Sequence, residues 1–283
     1  MIWTSWHGHP EVLIGLVVLQ AAYLLGVGPL REKYQWAIRV ESKDVILFTT
    51  GVVVLFVAML SPLHVLADDY LFSAHMLQHV LMTLIAPPLL ILGTPDWLLR
   101  PLLKPVVAYR VARLLTNPFV AFFLFNMTFS LWHIPAMYGS SVLLKYVHIG
   151  EHMLFMSTAT LMWWPLVSRS TALPRLTYPF QMIYLFGLSL AQIIVFGMVT
   201  FSQAPVYEHY VHTPRIWGID PLADQQIGGI IMKVGGGLMF LTLFIVNFFR
   251  WYRHEEEQSR IENEKRMAMF PYLERPALED SSR

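Results

Sequence analysis

Residues 73–93 read SAHMLQHVLMTLIAPPLLILG, an apolar run that opens with two histidines four residues apart. A helix of this length can cross a hydrocarbon core of roughly 30 Å. Similar runs recur along the 283-residue chain, in which 55% of the residues are hydrophobic and 14% are charged. A soluble domain would carry about 25% charged residues. The sequence therefore predicts an all-α, polytopic membrane protein.

Seven apolar segments have clear helix boundaries, such as Gly28-Pro29 after the first and Asn117-Pro118 before the fourth. They predict one domain over residues 1–250, a bundle of seven transmembrane helices. A charged cytoplasmic tail over 251–283 follows, and its alternating charges favour a solvated helix that extends the last span. The predicted spans are 11–29, 44–63, 70–93, 117–137, 143–167, 178–202 and 227–249.

The basic residues indicate the orientation of the bundle. Seventeen lysines and arginines fall in alternate loops and in the C-terminal tail, whereas the opposite side carries only Lys145 and Arg215. Because basic loops stay in the cytoplasm, we expect the N-terminus outside and the C-terminus inside. No basic residue precedes the first apolar run, which argues against a cleaved signal peptide.

On this topology ten of the eleven histidines lie at the outer face, and only His254 lies in the cytoplasmic tail. The third and fifth helices both carry the pattern H-x-x-[Q/E]-H, which places two imidazoles on one helical face. A histidine at a helix end can also be satisfied in the headgroup region, but the doubled pair favours a metal site. The predicted metal ligands are His75, His79, His148 and His152, with His133 as a fifth.

Other polar residues surround these ligands. Gln78 and Glu151 hold equivalent places in the two motifs, where they would orient an imidazole through its second nitrogen. His64 and Asp68 would form an entrance, and Asp224 would cap the last helix or supply an oxygen there. Lys233, the one cation within a span, would pair with Glu151 or Asp224 or extend towards the headgroups. Four outer histidines are expected to capture ions: His7, His9, His209 and His212.

The ligand types narrow the choice of metal. The chain has no cysteine, which excludes thiolate sites and disulfides. Imidazole suits zinc, copper, iron and nickel, and nearby thioethers shift the preference to copper, with zinc as second choice. These thioethers belong to Met76, Met137, Met153 and Met156.

Four segments together resemble the CtaG-type family of cytochrome c oxidase assembly factors, which are seven-helix bacterial membrane proteins. They are residues 75–95 (HMLQHVLMTLIAPPLLILGTP), 131–138 (LWHIPAMY), 148–155 (HIGEHMLF) and 224–232 (DQQIGGIIM). The resemblance implies a non-enzymatic role in forming the copper-B centre of the oxidase catalytic subunit, in the bacterial cytoplasmic membrane. A periplasmic copper chaperone is a candidate partner beside the oxidase and membrane lipid, and the sequence has no nucleic-acid signature.

The residues alone leave other functions open. A membrane cytochrome could bind one outer haem through the same histidines, although histidines at a second haem level are absent from the spans. A zinc-dependent membrane hydrolase or a di-iron hydroxylase would use the imidazoles with Glu151 or Asp68 as general base. Metal content and a Soret band distinguish these classes.

Overall fold

The computed structural model describes residues 9–269, and every regular element in that range is a helix. We count a helix that continues through a short distortion as one element. On that basis the helices are α1 (Pro10–Tyr34), α2 (Ser42–Leu60), α3 (Pro62–Asp69), α4 (Phe72–Leu92), α5 (Asp96–Leu99), α6 (Val106–Leu115), α7 (Pro118–Trp132), α8 (Pro135–Leu143), α9 (Lys145–Val167), α10 (Tyr178–Phe201), α11 (Glu208–His212) and α12 (Pro221–Met269).

Five helices are long and apolar enough to cross a membrane, namely α1, α2, α4, α10 and α12. The pair α6 and α7, bent by 64°, would make a sixth. Helix α9 has 23 residues, but its first two turns carry His148, Glu151 and His152, which lower its hydropathy. The chain is thus a multi-pass membrane protein with a helix at each of the seven predicted positions, and the number of seven crossings stays a prediction.

Helix α4 lies at the centre of the bundle, where it packs against α2, α3, α9 and α12. In its apolar segment 67% of the residues are buried, compared with 22% in α1. Helix α1 instead exposes apolar side chains such as Ile14, Val17 and Val18. Polar groups in a membrane are costly unless they face the bundle interior, so α4 is the element best placed to carry them.

A hydrogen bond next to the proline pair of α4, Pro87-Pro88, joins this helix to α9. Pro87 has no N–H to donate to the carbonyl oxygen of Thr83, one turn earlier, and the helix is π-helical over Leu81–Ile85. The indole N–H of Trp163 on α9 donates to that oxygen at 2.8 Å. The helices that carry the two histidine pairs are therefore joined by a buried hydrogen bond.

Two predicted spans end earlier than expected. Helix α2 ends at Leu60, because the Ser61 hydroxyl accepts from the N–H of Leu63 at 3.1 Å and starts α3 at Pro62. Likewise, α7 ends at Trp132 and Pro135 starts α8. The short helices α3 and α8 bring further polar residues to the end of the bundle where the histidine pairs lie.

The other end of the bundle is held by ion pairs and hydrogen bonds. Arg169 after α9 contacts Asp44 of α2 at 2.5 Å and the carbonyl oxygen of Leu92 at 3.0 Å. Asp96 accepts from the N–H of Thr171 at 2.7 Å and from Arg100. These contacts join α2, α4 and α9 at this end, and α12 continues as a helix to Met269, as the charge pattern of the tail predicts.

Candidate metal centre

Six histidines from four helices converge at one end of the bundle. The rings within the two H-x-x-[Q/E]-H pairs are 4.5 Å and 4.3 Å apart, so each pair shares a helical face as predicted. Rings on different helices lie 5.6–6.5 Å apart. The six are His64 on α3, His75 and His79 on α4, His133 after α7, and His148 and His152 on α9.

Three of them form the tightest group, which we call the inner trio: His75, His79 and His152. One ring nitrogen from each lies within 4.8 Å of the other two. Ligands on one tetrahedral ion, with bonds of about 2.0–2.1 Å, are separated by about 3.3 Å, so modest side-chain rotation would close the set.

The inner trio is buried and lacks hydrogen-bond partners. Both ring nitrogens of His75 and of His79, and Nε2 of His152, are inaccessible to solvent and form no hydrogen bond. Leaving such groups unpaired in an apolar interior is costly. A metal ion bound by three imidazole nitrogens removes that cost, so the residues fit a metal.

His133 approaches the trio from α7. Its Nδ1 lies 2.7 Å from the carbonyl oxygen of Phe129, and a carbonyl can only accept, so Nδ1 carries the proton. Nε2 therefore presents a lone pair, and it is buried with no hydrogen-bond partner. The ring centre lies 6.5 Å from that of His79, which makes His133 a neighbouring ligand for the same region.

His64 belongs to the cluster more closely than its predicted place at an entrance indicates. The Gln78 amide nitrogen lies 3.2 Å from Nδ1 of His64, and an amide N–H can only donate. Nε2 then carries the proton and points at Oδ2 of Asp68, 3.5 Å away. Gln78 thus contacts an imidazole of another helix, and its predicted role in orienting a metal ligand stays a prediction. The Ser61-Pro62 start of α3 is the sequence signal for this arrangement.

Two buried carboxyl groups border the histidines. Burial raises the pKa of Asp68 to about 7, and the nearby charges of Asp69 and Glu151 act in the same direction. Neither carboxylate oxygen of Glu151 has a hydrogen-bond partner. The adjacent Ser141 hydroxyl donates to the carbonyl oxygen of Tyr138. A neighbouring cation would stabilise the ionised form of both carboxyl groups.

Asp224 has a different role from the predicted one. It is fully buried, and its two oxygens accept from the backbone N–H groups of Phe72 at 2.7 Å and Ser73 at 3.1 Å. The expectation that it caps its own helix is wrong, because Asp220 accepts from Leu222 there. Asp224 instead caps α4, the helix that carries two of the trio.

Lys233 pairs with neither predicted carboxylate. Its Nζ donates to the carbonyl oxygen of Ser189 at 3.1 Å and lies 5.9 Å from the ring centre of Phe196. Both of these residues are on α10. The cation is therefore held between α10 and α12 rather than in the histidine cluster.

The remaining outer histidines are dispersed. The His9 ring is 4.9 Å from that of His64, and His209 donates to the carbonyl oxygen of Asp68 at 2.9 Å. His212 is exposed near Glu208. His7 lies outside the described residues. Ion capture by these residues stays a prediction.

A cavity of about 860 Å³ reaches the cluster from between α1, α2 and α9. Its polar end is lined by His64, Asp68, His148 and His152, while the walls below are apolar. Of the four predicted thioethers, two line the cavity, while Met76 is buried among aromatic rings and Met137 is half-exposed. Sequence reasoning missed two others, which the tertiary packing of α2 and α4 brings in. The cavity methionines are Met59, Met82, Met153 and Met156.

Comparison with known proteins gives one match. The family described as cytochrome c oxidase caa3 assembly factor (Caa3_CtaG) matches residues 21–254, well over half of the chain. The matched range contains all six clustered histidines. No curated protein and no solved structure matches the chain.

Proposed function

We propose, from the premise that this chain belongs to the cytochrome c oxidase caa3 assembly factor family, that it binds copper at the inner trio and supplies it to the copper-B centre of the oxidase catalytic subunit. Copper is here a cargo that the chain holds and passes on. The chain therefore acts as an assembly factor without catalytic turnover, and the oxidase subunit is its principal partner.

One observation carries this proposal: three buried imidazoles converge, and five of their six ring nitrogens are buried without a hydrogen-bond partner. Imidazole binds copper and zinc well, and thioethers along the adjoining cavity favour copper. Two further imidazoles, His133 and His148, stand beside the trio, so ligands can be exchanged one at a time. Such exchange suits a site that must release its ion.

The proposed orientation places the cluster at the outer face of a bacterial cytoplasmic membrane, in a seven-span domain over residues 1–250. It is supported by the basic residues, because Arg100, Arg169 and Arg175 lie at the end opposite the cluster. A periplasmic copper chaperone could then deliver the ion. The tail over 251–283 would lie in the cytoplasm.

The alternatives are a haem-binding cytochrome and a zinc-dependent hydrolase. Six rings within 4.3–6.5 Å of their neighbours support an ion rather than a porphyrin between them. A hydrolase would use Glu151, which is buried and unpaired beside the trio, as its general base. Both alternatives remain as outcomes of the metal measurement.

The test is metal content by mass spectrometry on protein purified in mild detergent, without chelator or polyhistidine tag. We expect at least one equivalent of copper per chain, lost when His75→Ala, His79→Ala and His152→Ala are combined. The matched control combines His212→Ala and His254→Ala, which lie outside the cluster, and should keep its copper. Size-exclusion chromatography and circular dichroism establish that each variant is folded.

Other outcomes would contradict the proposal. Zinc with turnover on lipid or peptide substrates would favour a hydrolase, and a Soret band would favour a cytochrome. No bound metal in the unaltered protein would remove the observation on which the proposal rests. The client is tested in cells that lack the chain: the control variant should restore copper-B in the oxidase, and the trio variant should not.

A further inference from the structure

A second group of unpaired ligand atoms lies between the inner trio and the cavity. Oδ1 of Asp68 is 4.0 Å from Nδ1 of His75 and 3.9 Å from Nε2 of His148. All three atoms are inaccessible to solvent and form no hydrogen bond. The carboxylate oxygen thus stands between two ring nitrogens from different helices, too far from either for a hydrogen bond.

These separations fit a bound cation. With bonds of about 2.0–2.2 Å to nitrogen and oxygen, two ligands of one ion lie about 3.3 Å apart in tetrahedral geometry and about 4.1 Å apart on opposite sides of the ion. The observed 3.9 and 4.0 Å fall within that range. An ion held by all three atoms lies off both lines, so each separation would shorten towards the tetrahedral value when the ion binds.

We propose that Asp68, His148 and His75 form a second, outer cation site for a divalent transition metal, and that this site shares His75 with the inner trio. Carboxylate together with imidazole suits divalent ions such as Cu²⁺ or Zn²⁺. The inference rests on the proposed function, because the inner trio is taken there as the cargo site. In this proposal His148, which the sequence predicts as a ligand of a single metal site, is a ligand of the outer site.

The neighbouring side chains fix the carboxylate for this role. His64 directs its Nε2 proton at Oδ2 of Asp68, and Gln78 donates to Nδ1 of His64. This chain of contacts occupies one carboxylate oxygen and leaves Oδ1 towards His75 and His148. Gln78 and His64 are therefore positioning residues for the outer site.

The cavity gives an incoming ion direct access to two ligands of the outer site. Asp68 and His148 line it, and their side chains are 23% and 13% exposed. His75 and His79 do not line it, and His75 is fully buried. An ion that comes from the cavity therefore meets Asp68 and His148, together with His152 alone of the trio, before it reaches His75 and His79. His75 belongs to both sets of ligands, and both of its ring nitrogens lack a hydrogen-bond partner, so its ring can join the two sites.

The test is titration of the full-length, detergent-purified, metal-free protein with Cu²⁺, followed by equilibrium dialysis and electron paramagnetic resonance. The unaltered protein should bind two ions per chain, with His75 bridging them as an imidazolate once its ring proton has passed to the buffer, and the two Cu²⁺ signals should be magnetically coupled. Asp68→Asn keeps the shape but removes the charge, and should weaken only the outer site, by at least 10-fold. His79→Ala combined with His152→Ala should remove only the inner site. Glu208→Gln, on an exposed carboxylate outside the cluster, is the control and should leave both sites unchanged.

A positioning role for Gln78 has its own readout. Gln78→Leu should weaken the outer site by about 10–100-fold, as loss of an orienting contact does in other metal sites, and leave the stoichiometry and spectrum of the inner site intact. One ion per chain that is unaffected by Asp68→Asn would overturn the outer site while the proposed function stands. No bound ion at all would overturn the proposed function instead.

Discussion

At the scale of single residues, some of the clustered histidines form hydrogen bonds or polar contacts with other protein groups, and others form none. His133 gives its Nδ1 proton to a carbonyl, and His64 is held between Gln78 and Asp68, so both rings are oriented by the protein alone. His75 and His79 have no partner at either nitrogen. Oriented rings stay fixed whether or not an ion is present, whereas the other two depend on one. Loss of metal should therefore disturb α4 more than α7.

Among the glycines of the described residues, Gly93 is the one where an added Cβ would come closest to backbone atoms. A Cβ there would lie 2.4 Å from the backbone nitrogen of Phe48 and 2.8 Å from the carbonyl oxygen of Asp44. The Tyr23 hydroxyl also donates to the Gly93 carbonyl oxygen at 2.8 Å. We expect Gly93→Ala to separate α2 from α4 and to destabilise the protein by about 1–3 kcal/mol.

The measurement is the temperature at which half of the detergent-solubilised protein is lost from the monodisperse peak. Gly15→Ala is the control, because a Cβ at Gly15 meets nothing within 4 Å. It should leave that temperature unchanged or slightly raised. Equal behaviour of the two variants would show that the contact at Gly93 is not limiting.

At the scale of elements, α4 is held at its start and near its middle by contacts from distant parts of the chain. Its first N–H groups are capped by Asp224 of α12, and the carbonyl freed by Pro87 accepts from Trp163 of α9. In a membrane every backbone polar group must find such a partner. The position of His75 and His79 is thus set by α12 and α9 as well as by α4 itself.

This arrangement predicts unequal effects for two aspartates of α12. Asp224→Ala leaves two buried N–H groups of α4 without an acceptor and should cost about 2–4 kcal/mol, with weaker metal binding as α4 shifts. Asp220→Ala removes an exposed cap and should cost about 1 kcal/mol. Thermal unfolding and copper affinity of the two variants are compared in the same detergent. A larger loss for Asp220→Ala would contradict the cross-helix role of Asp224.

Local sequence patterns predicted the helices and the shared faces of the histidine pairs, but they could not predict contacts between residues that are distant in sequence. Hydropathy predicted the positions of the apolar helices, and i, i+4 spacing predicted that His75 and His79, and His148 and His152, share faces. The same local rules assigned Asp224 to its own helix, because nothing near it in sequence reveals Phe72, 152 residues away. Local rules also did not place His64 among the clustered histidines, since its position depends on how Ser61 and Pro62 redirect the chain; its predicted role at an entrance stays a prediction.

At the scale of the whole molecule, the two ends of the bundle differ in chemistry. One end buries imidazoles and carboxyl groups, and the other is held by Arg169, Asp44 and Asp96. The absence of cysteine lets the sidedness be read directly from single introduced thiols. Five exposed positions suit such thiols: Leu102, Tyr146, Arg175, His212 and Arg260.

Single substitutions should alternate in reactivity with a membrane-impermeant maleimide. Tyr146→Cys and His212→Cys should react in intact cells. Leu102→Cys, Arg175→Cys and Arg260→Cys should react only after permeabilisation. This order requires that α7, α9, α10 and α12 each cross the membrane, and the cysteine-free chain gives the background. Reaction of Leu102→Cys and Tyr146→Cys from the same side would contradict a crossing by α7.

Helix α12 has 49 residues, so at about 1.5 Å per residue it extends roughly 74 Å, more than twice the roughly 30 Å of a hydrocarbon core. The His254 ring lies 6.5 Å from that of Tyr178, so on the proposed orientation the part of α12 beyond His254 would extend into the cytoplasm. The same unbroken rod ends, on the far side, at the carboxylate that holds the start of α4. A sideways force on the cytoplasmic part of α12 would tilt the whole helix within the bilayer. We expect such a tilt to displace Asp224 and, through it, the start of the helix that carries His75 and His79.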